Sequence, residues 1–260
     1  MTVLRDHNYL CWKRYAEASV LPQLDLLKQL YEERLVPVFD NLAQQAEGVT
    51  ENSWQKQMNA PVSNGDGGDL DACAETADDE GTDWLVRMWD LQSGVNGQFC
   101  IAVWSHVEKF LSYLLQWEKS LSEKPGDFAR KFLAGLTSMA PPSEPGKQLP
   151  KGYTWQQIRE KYQAAGIDLT AIQAFGAIDL LRLVNNVCKH GEGPALDELK
   201  KRESVPGLGN LSEAVLGAFG EVTVKNAYVL KAFGSAKEFI LQVVERLAKA
   251  EPAGSSELRG

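Results

Sequence analysis

Hydrophobic positions recur at three- and four-residue spacing through most of the chain, which is the period of an amphipathic helix. In residues 9–57 this spacing predicts a long helix that Pro37 kinks or divides, because proline has no amide hydrogen to donate within a helix. Residues 99–121 are apolar around most of the helical circumference and predict the central helix of the core. The same reasoning predicts helices at residues 154–165, 168–190, 194–201 and 233–249.

Two short stretches stand out from this helical pattern. A helical region begins at residue 83, and the small and polar residues 93–97 are predicted to interrupt it because glycine is a poor helix former. Residues 222–224 are the only convincing strand-like triplet. Since strands and helices do not alternate, we predict an all-α fold, a helical bundle with at most a minor β element near residues 221–225.

The chain divides into four predicted parts. Residues 1–57 form N-terminal helices that pack on the bundle, and residues 83–250 form the helical bundle itself. Between them, residues 58–82 combine turn-forming residues with acidic ones and offer little to bury, so they predict a flexible acidic loop. Residues 251–260 predict a disordered tail.

Charge is unevenly distributed along the 260 residues. The formal net charge is −8, yet residues 57–86 contain eight acidic residues and no lysine or arginine, so this one segment can account for the whole imbalance. The rest of the chain is close to neutral. The low pI therefore neither supports nor excludes a local basic site for nucleic acid.

Targeting signals and metal-binding patterns are missing from the sequence. There is no run of about 18 apolar residues and no signal-peptide pattern at the N-terminus, so we expect a cytoplasmic protein with no membrane contact. The four cysteines are far apart and only three histidines are present, which indicates reduced, packed thiols and no metal. Phosphate-loop, dinucleotide, zinc-protease and nucleophile-elbow motifs are absent too, and we expect no cofactor.

Tryptophan is frequent, with seven residues in the chain. Tryptophan rings can stack on nucleic-acid bases, but most of those in this chain stand at the spacing of core positions on helices. We therefore expect core packing for all six of these residues: Trp54, Trp84, Trp89, Trp104, Trp117 and Trp155.

The helix predicted for residues 168–190 has the sharpest division between an apolar and a polar side. On a helical wheel, the polar side collects Asp179, Arg182, Asn186, Lys189 and His190. Arginine can bind phosphate, an amide can orient a substrate, and histidine can move a proton near neutral pH. Gly191 follows directly and is a natural helix terminator. The alternative interpretation of this side is an ordinary solvated helix surface.

A central helix bearing Glu108, followed by a later helix that contains Arg182 and is closed by His190, resembles the HEPN superfamily (higher eukaryotes and prokaryotes nucleotide-binding domain). The resemblance covers about residues 83–247. It implies a metal-independent endoribonuclease of prokaryotic antiphage defence or toxin type, acting as a homodimer on RNA. In that role His190 would handle the proton, Arg182 would stabilise the phosphate, and Glu108 would orient one of them.

The spacing of the motif leaves a second interpretation open. Seven residues separate Arg182 from His190, against four to six in the family, and the four-residue position holds Asn185. Lys189 is therefore an alternative cation at the phosphate, with Asn185, Asn186 and Asp179 as further substrate-binding candidates. The alternative function is a non-catalytic interaction or regulatory subunit that uses this polar face to bind a nucleotide or a partner protein of a defence or toxin–antitoxin system.

Overall fold

The computed structural model describes residues 12–59, 70–123, 153–203 and 222–249, and over these residues the fold is all-α, as the sequence predicts. Within the described part Val222 forms only an isolated β-bridge. The predicted tail at residues 251–260 lies outside the described residues. The helices are α1 (Leu21–Leu30), α2 (Leu42–Met58), α3 (Leu70–Glu123), α4 (Trp155–Ala164), α5 (Phe175–His190), α6 (Pro194–Glu203) and α7 (Asn226–Lys249).

The described residues fall into two compact units. The first unit contains the described parts of Met1–Asp25, Ala102–Leu181 and Ala232–Gly260, and the second contains those of Leu26–Ile101 and Arg182–Lys231. The predicted packing of N-terminal helices, residues 1–57, on a bundle of residues 83–250 stays a prediction. Among the described helices, none is both long enough and apolar enough to cross a bilayer.

The predicted division of the N-terminal helical run at Pro37 is confirmed. Helix α1 continues into a π-helical turn at Tyr31–Leu35, and a 3-10 helix follows at Val36–Phe39 with Pro37 in its first turn. A proline is tolerated there because its missing N–H would have no partner in a first turn. The run ends at Asn41, whose φ of 59° is left-handed, and α2 begins at the next residue.

The prediction of an acidic loop at residues 58–82 is wrong for residues 70–82. Residues 60–69 lie outside the described residues, whereas residues 70–82 form the first turns of α3. Ala77 is 1% exposed, and Gly81 is buried where α3 approaches Thr50 and the backbone of Ala46 in α2. Small side chains let the two helices pack closely, so the segment buries a narrow stripe although most of its surface is acidic.

The predicted interruption at residues 93–97 is also wrong, because α3 continues through this stretch without a break. Glycine in a helix interior costs roughly 1 kcal/mol relative to alanine, a preference that tertiary contacts can override. Here Ser93 and Asn96 bond to the segment that precedes α7, and Gly97 admits a side chain from α5. The contacts made by these small residues explain why a helix forms where propensity predicts a break.

The first unit has an aromatic centre at Trp155, the first residue of α4. Its ring lies 5.3 Å from that of Trp104 in an edge-to-face contact and 6.0 Å from that of Phe175 in a stacked one. Helix α4 begins where predicted, because Thr154 forms a capping box with Gln157. Its C-terminal turn ends at Gly166, whose φ is 81°.

Two predicted helix starts shift in the structure. Residues 168–190 are not one helix: Asp168 accepts a hydrogen bond from the backbone N–H of Thr170 and caps a 3-10 turn at Leu169–Ala171, after which Ile172 is extended. Helix α5 therefore begins only at Phe175. The last helix, predicted from residue 233, starts seven residues earlier at Asn226 because that residue is anchored in the second unit.

Buried amides hold the second unit together. Asn96 is fully buried and donates to the carbonyl of Val224 at 2.6 Å and to Oδ1 of Asn226 at 3.0 Å. The hydroxyl of Tyr31 lies 2.8 Å from Oδ1 of Asn96 and 2.9 Å from Oδ1 of Asn226. Ser93 Oγ accepts from the N–H of Val224. These bonds fix the segment from Val222 to Asn226 on α3.

Replacing the central amide should therefore destabilise the protein. In Asn96→Ala the carbonyl of Val224 loses its donor and the Tyr31 hydroxyl loses one acceptor, so we expect a loss of about 2–3 kcal/mol in the free energy of unfolding. Urea denaturation measures it. The control is Gln29→Ala, which removes an exposed bond to Glu33 and should change stability by less than about 0.5 kcal/mol. Equal effects of the two variants would contradict this role.

Candidate functional site

The polar side of α5 is divided between internal contacts and solvent. Asp179, at the start of this side, is only 7% exposed and accepts a hydrogen bond from Nε1 of Trp155 at 3.1 Å. It lies in the first unit. A buried carboxylate that accepts from an indole N–H is a structural contact of the aromatic centre, so Asp179 does not present its carboxylate to a ligand in solution.

Arg182 is part of an ion cluster with helix α6. Its Nη2 lies 3.7 Å from Oε2 of Glu198, and the side chain of Arg182 is 17% exposed. The other carboxylate oxygen of Glu198 accepts from Arg202 at 2.8 Å. One carboxylate is thus shared between two guanidinium groups. Binding a phosphate at Arg182 would compete with this existing partner.

The two asparagines on α5 bond to each other. Asn185 is 2% exposed and donates from Nδ2 to Oδ1 of Asn186 at 3.0 Å. Oδ1 of Asn185 is buried and has no hydrogen-bond partner. This residue stands at the four-residue position of the family motif, and its burial excludes it from direct contact with a substrate in this conformation.

Lys189 and His190 lie in the last turn of α5, and both are exposed. Gly191 ends the helix with a φ of 70°, and its N–H donates to the carbonyl of Val187 at 2.7 Å. This confirms the predicted terminator. The two basic side chains also oppose the negative end of the helix dipole, which is a stabilising arrangement without any ligand.

The candidate residues do not all belong to one unit. Glu108, on α3, is part of the first unit and is half-buried, while its neighbour Lys109 is exposed. The second unit contains the larger set: Arg182, Asn185, Asn186, Lys189 and His190. The described contacts within the second unit therefore bring Arg182 together with Glu198 and Asn185 together with Asn186, and leave Lys189 and His190 at the surface.

A cavity of about 480 Å³ opens beside the end of α5, entirely within the second unit. Its apolar wall consists of Val187, Leu196, Val222 and Val224. The polar lining comes from three helices and the residues that follow α5: Ser93, Gly94, Gly97 and Gln98 of α3, Cys188, Gly191 and Glu192, and Lys200 of α6. A mixed lining of this kind suits a small ligand with both apolar and polar groups.

Residues 93–97 of α3 build this cavity, and sequence reasoning missed their role. Gly94 has nothing within 4 Å of the position of a Cβ atom, so it leaves the cavity open. At Gly97 a Cβ would lie 3.0 Å from Sγ of Cys188, which shows how closely α5 packs there. The available signal was the cluster of small polar residues inside a long apolar helix.

Cys100 and Cys188 are neutral thiols rather than nucleophiles. Burial raises the pKa of the Cys188 thiol, and burial together with the neighbouring Cys188 raises the pKa of Cys100. Both thiols therefore stay protonated near neutral pH, and only thiolates attack carbon or bind metals well. Over the described residues there is no group of three histidine, cysteine, aspartate or glutamate side chains that could hold a metal ion.

Comparison with known proteins gives no relative: no family, no curated protein and no solved structure matches this chain.

The two glycines of the cavity should respond differently to alanine. Gly94→Ala should raise the free energy of unfolding by about 0.5–1 kcal/mol, because alanine favours the helix and its methyl group meets open space. Gly97→Ala should be less stable than Gly94→Ala, because Sγ of Cys188 must move. Thermal denaturation compares the two.

A second substitution tests the cause of this difference. In a Cys188→Ala background the obstructing sulfur is gone, so Gly97→Ala should become more favourable than it is in the wild type. If Gly97→Ala stabilises the wild type as much as Gly94→Ala does, the close contact between α3 and α5 is wrong.

Proposed function

We propose that this chain is a non-catalytic helical binding module, a regulatory subunit that takes up a nucleotide at the cavity beside the end of α5. The cavity carries the proposal, because its volume of about 480 Å³ falls within the range of small-molecule sites, about 300–1,000 Å³. A partner protein would instead favour a flat surface with little enclosed volume.

The chemistry of the lining supports a nucleotide. The ammonium group of Lys200 offers charge to a phosphate, and the carboxylate of Glu192 offers acceptors to ribose hydroxyls. The last carbonyls of a helix have no intrahelical partner, so the end of α5 can accept from the N–H groups of a base. The apolar wall, with Val187 and Val224, suits the face of a base ring.

The contacts of Arg182 support binding without cleavage. An endoribonuclease needs a cation at the phosphate and a proton carrier beside it, whereas Arg182 is already paired with Glu198. Asn185 occupies the four-residue position of the HEPN motif and is buried. We infer that, if the chain is a HEPN-like protein, it is a divergent one that keeps a ligand site and has lost nuclease chemistry.

Calorimetric titration with AMP tests the binding site. We expect a Kd below about 1 mM for the wild type, and a loss of affinity of at least about tenfold in Lys200→Ala, because phosphate binding loses a charged partner. Lys201→Ala is the matched control, since this adjacent lysine does not line the cavity. Inorganic phosphate serves as a second probe, and its binding as tightly as AMP would contradict a site for the whole nucleotide.

A cavity-filling variant provides an independent check. Gly94 lines the cavity and its Cβ position meets open space, so Gly94→Leu adds bulk at the cavity wall and should weaken AMP binding at least about tenfold while the fold is kept. The control is Gly48→Leu on α2, where a side chain also meets nothing within 4 Å. Full AMP binding by Gly94→Leu, with circular dichroism unchanged, would remove the cavity from the account.

The endoribonuclease remains a second candidate because Lys189 and His190 are exposed side by side at the end of α5. Lysine could replace arginine at the phosphate, although as a point charge and without a planar two-point contact. A homodimer would then have to complete the site. The endoribonuclease would use the catalytic residues that the sequence predicts. It would cleave RNA, whereas the binding module would not.

Incubation of the purified protein with total tRNA and a single-stranded RNA in EDTA distinguishes the two functions. A binding module leaves both RNAs intact, in the wild type and in His190→Ala alike. Cleavage by the wild type that is lost in His190→Ala, with the variant's melting temperature unchanged, would establish the nuclease and overturn the non-catalytic proposal.

A further inference from the structure

The N-terminal part of α3 presents an acidic surface to solvent. Residues 71–90 contain a single basic residue, Arg87. Its guanidinium group lies 3.8 Å from the carboxylate of Asp83, and both side chains are more than 70% exposed. An ion pair this exposed contributes little to stability. All seven acidic residues of this stretch are exposed: Asp71, Glu75, Asp78, Asp79, Glu80, Asp83 and Asp90.

Two large apolar side chains lie on the same side of the helix as much of this charge. Val86 is 46% exposed and Trp89 is 52% exposed, so the prediction of core packing is wrong for Trp89. At 100° per residue one side of α3 collects seven residues, Thr82 and six others that we name the acidic face: Asp71, Glu75, Asp78, Asp79, Val86 and Trp89. The first four carry charge, and the last two form an apolar end.

We propose that the acidic face binds a cationic amphipathic helix of a partner protein. Its span of about 19 residues is roughly 28 Å long, which matches a helix of similar length laid alongside it. Lysines and arginines at three- and four-residue spacing would meet the carboxylates, and an apolar residue at one end would cover Val86 and Trp89. Tryptophan is among the residues that contribute most often to binding energy at protein interfaces.

Charge selects this occupant over others. Nucleic acids and anionic membrane surfaces carry negative charge and are repelled by a helical stretch, residues 71–90, that contains seven acidic residues and one arginine. The inference is independent of the cavity beside α5, because none of the residues that line it belongs to the acidic face.

Fluorescence anisotropy with labelled peptides tests the proposal on the full chain. The probe is a helical peptide of about 20 residues with lysines on one side and a leucine pair at one end. Glu75→Lys with Asp79→Lys should weaken binding at least about tenfold, and Trp89→Ala should weaken it about fivefold or more. Raised salt should weaken binding by the wild type.

Matched controls separate the acidic face from general charge attraction. Glu47→Lys with Glu51→Lys makes the same charge change at the same spacing on exposed positions of α2, and should alter affinity by less than about twofold. A second control is a peptide of equal charge whose two leucines are placed apart. It cannot cover Trp89 with a leucine pair, so its affinity for the wild type should equal the affinity of the leucine-paired peptide for Trp89→Ala.

Three results would overturn the proposal. The first is an equal loss of affinity in the α2 and α3 charge variants, and the second is equal binding of the paired and dispersed peptides. The third is self-association in light scattering that Trp89→Ala abolishes, because it would assign this face to a second copy of the chain. Circular dichroism confirms that each variant is folded.

Discussion

A fully buried amide, Asn96, holds the second unit in its arrangement. Helix α3 presents this amide where it meets the carbonyl of Val224 and the side chains of Tyr31 and Asn226. A polar group without partners in such a place would cost more than it contributes, so the segment before α7 must lie where it can complete these bonds. That one requirement sets the position of Val222 and Val224, and with them a wall of the cavity.

The same stretch of α3 sets the other side of the cavity. Because Gly97 has no side chain, α5 approaches α3 so closely that a methyl group at Gly97 would lie only 3.0 Å from Sγ of Cys188. Gly94 has no side chain to occupy the space beside it, where nothing lies within 4 Å of the Cβ position. The end of α5, the start of α6 and the segment before α7 then surround one small space. The space for a ligand therefore depends on the glycines as much as on the larger residues of the lining. The chemistry of the site follows from Lys200, Glu192 and the C-terminal end of α5.

Local signals in the sequence predicted much of the fold. The capping box at Thr154 and the left-handed Gly191 depend on residues only a few positions away, and both lie where expected. Residues 93–97 depend on partners about 130 positions along the chain, so local propensity predicted a break there. Gly81 and Ala77 likewise support a helix only because α2 and the core accept small side chains.

The polar side of α5 was predictable in part, whereas the cavity beside its end was not, because none of the residues predicted for the site lines it. Amphipathic spacing correctly placed Lys189 and His190 at an exposed helix end, yet it also assigned Asp179 and Arg182 to solvent. Their partners, Trp155 and Glu198, belong to other helices, and periodicity within one helix contains no information about them. The burial of Asn185 could not be predicted for the same reason.

Hydrogen–deuterium exchange, followed by mass spectrometry with and without saturating AMP, tests the central claim most directly. If the cavity beside α5 is the ligand site, exchange slows in peptides that cover the end of α5, the start of α6 and the segment from Val222 to Asn226. Unchanged exchange in those peptides, or protection confined to the first unit, would contradict it.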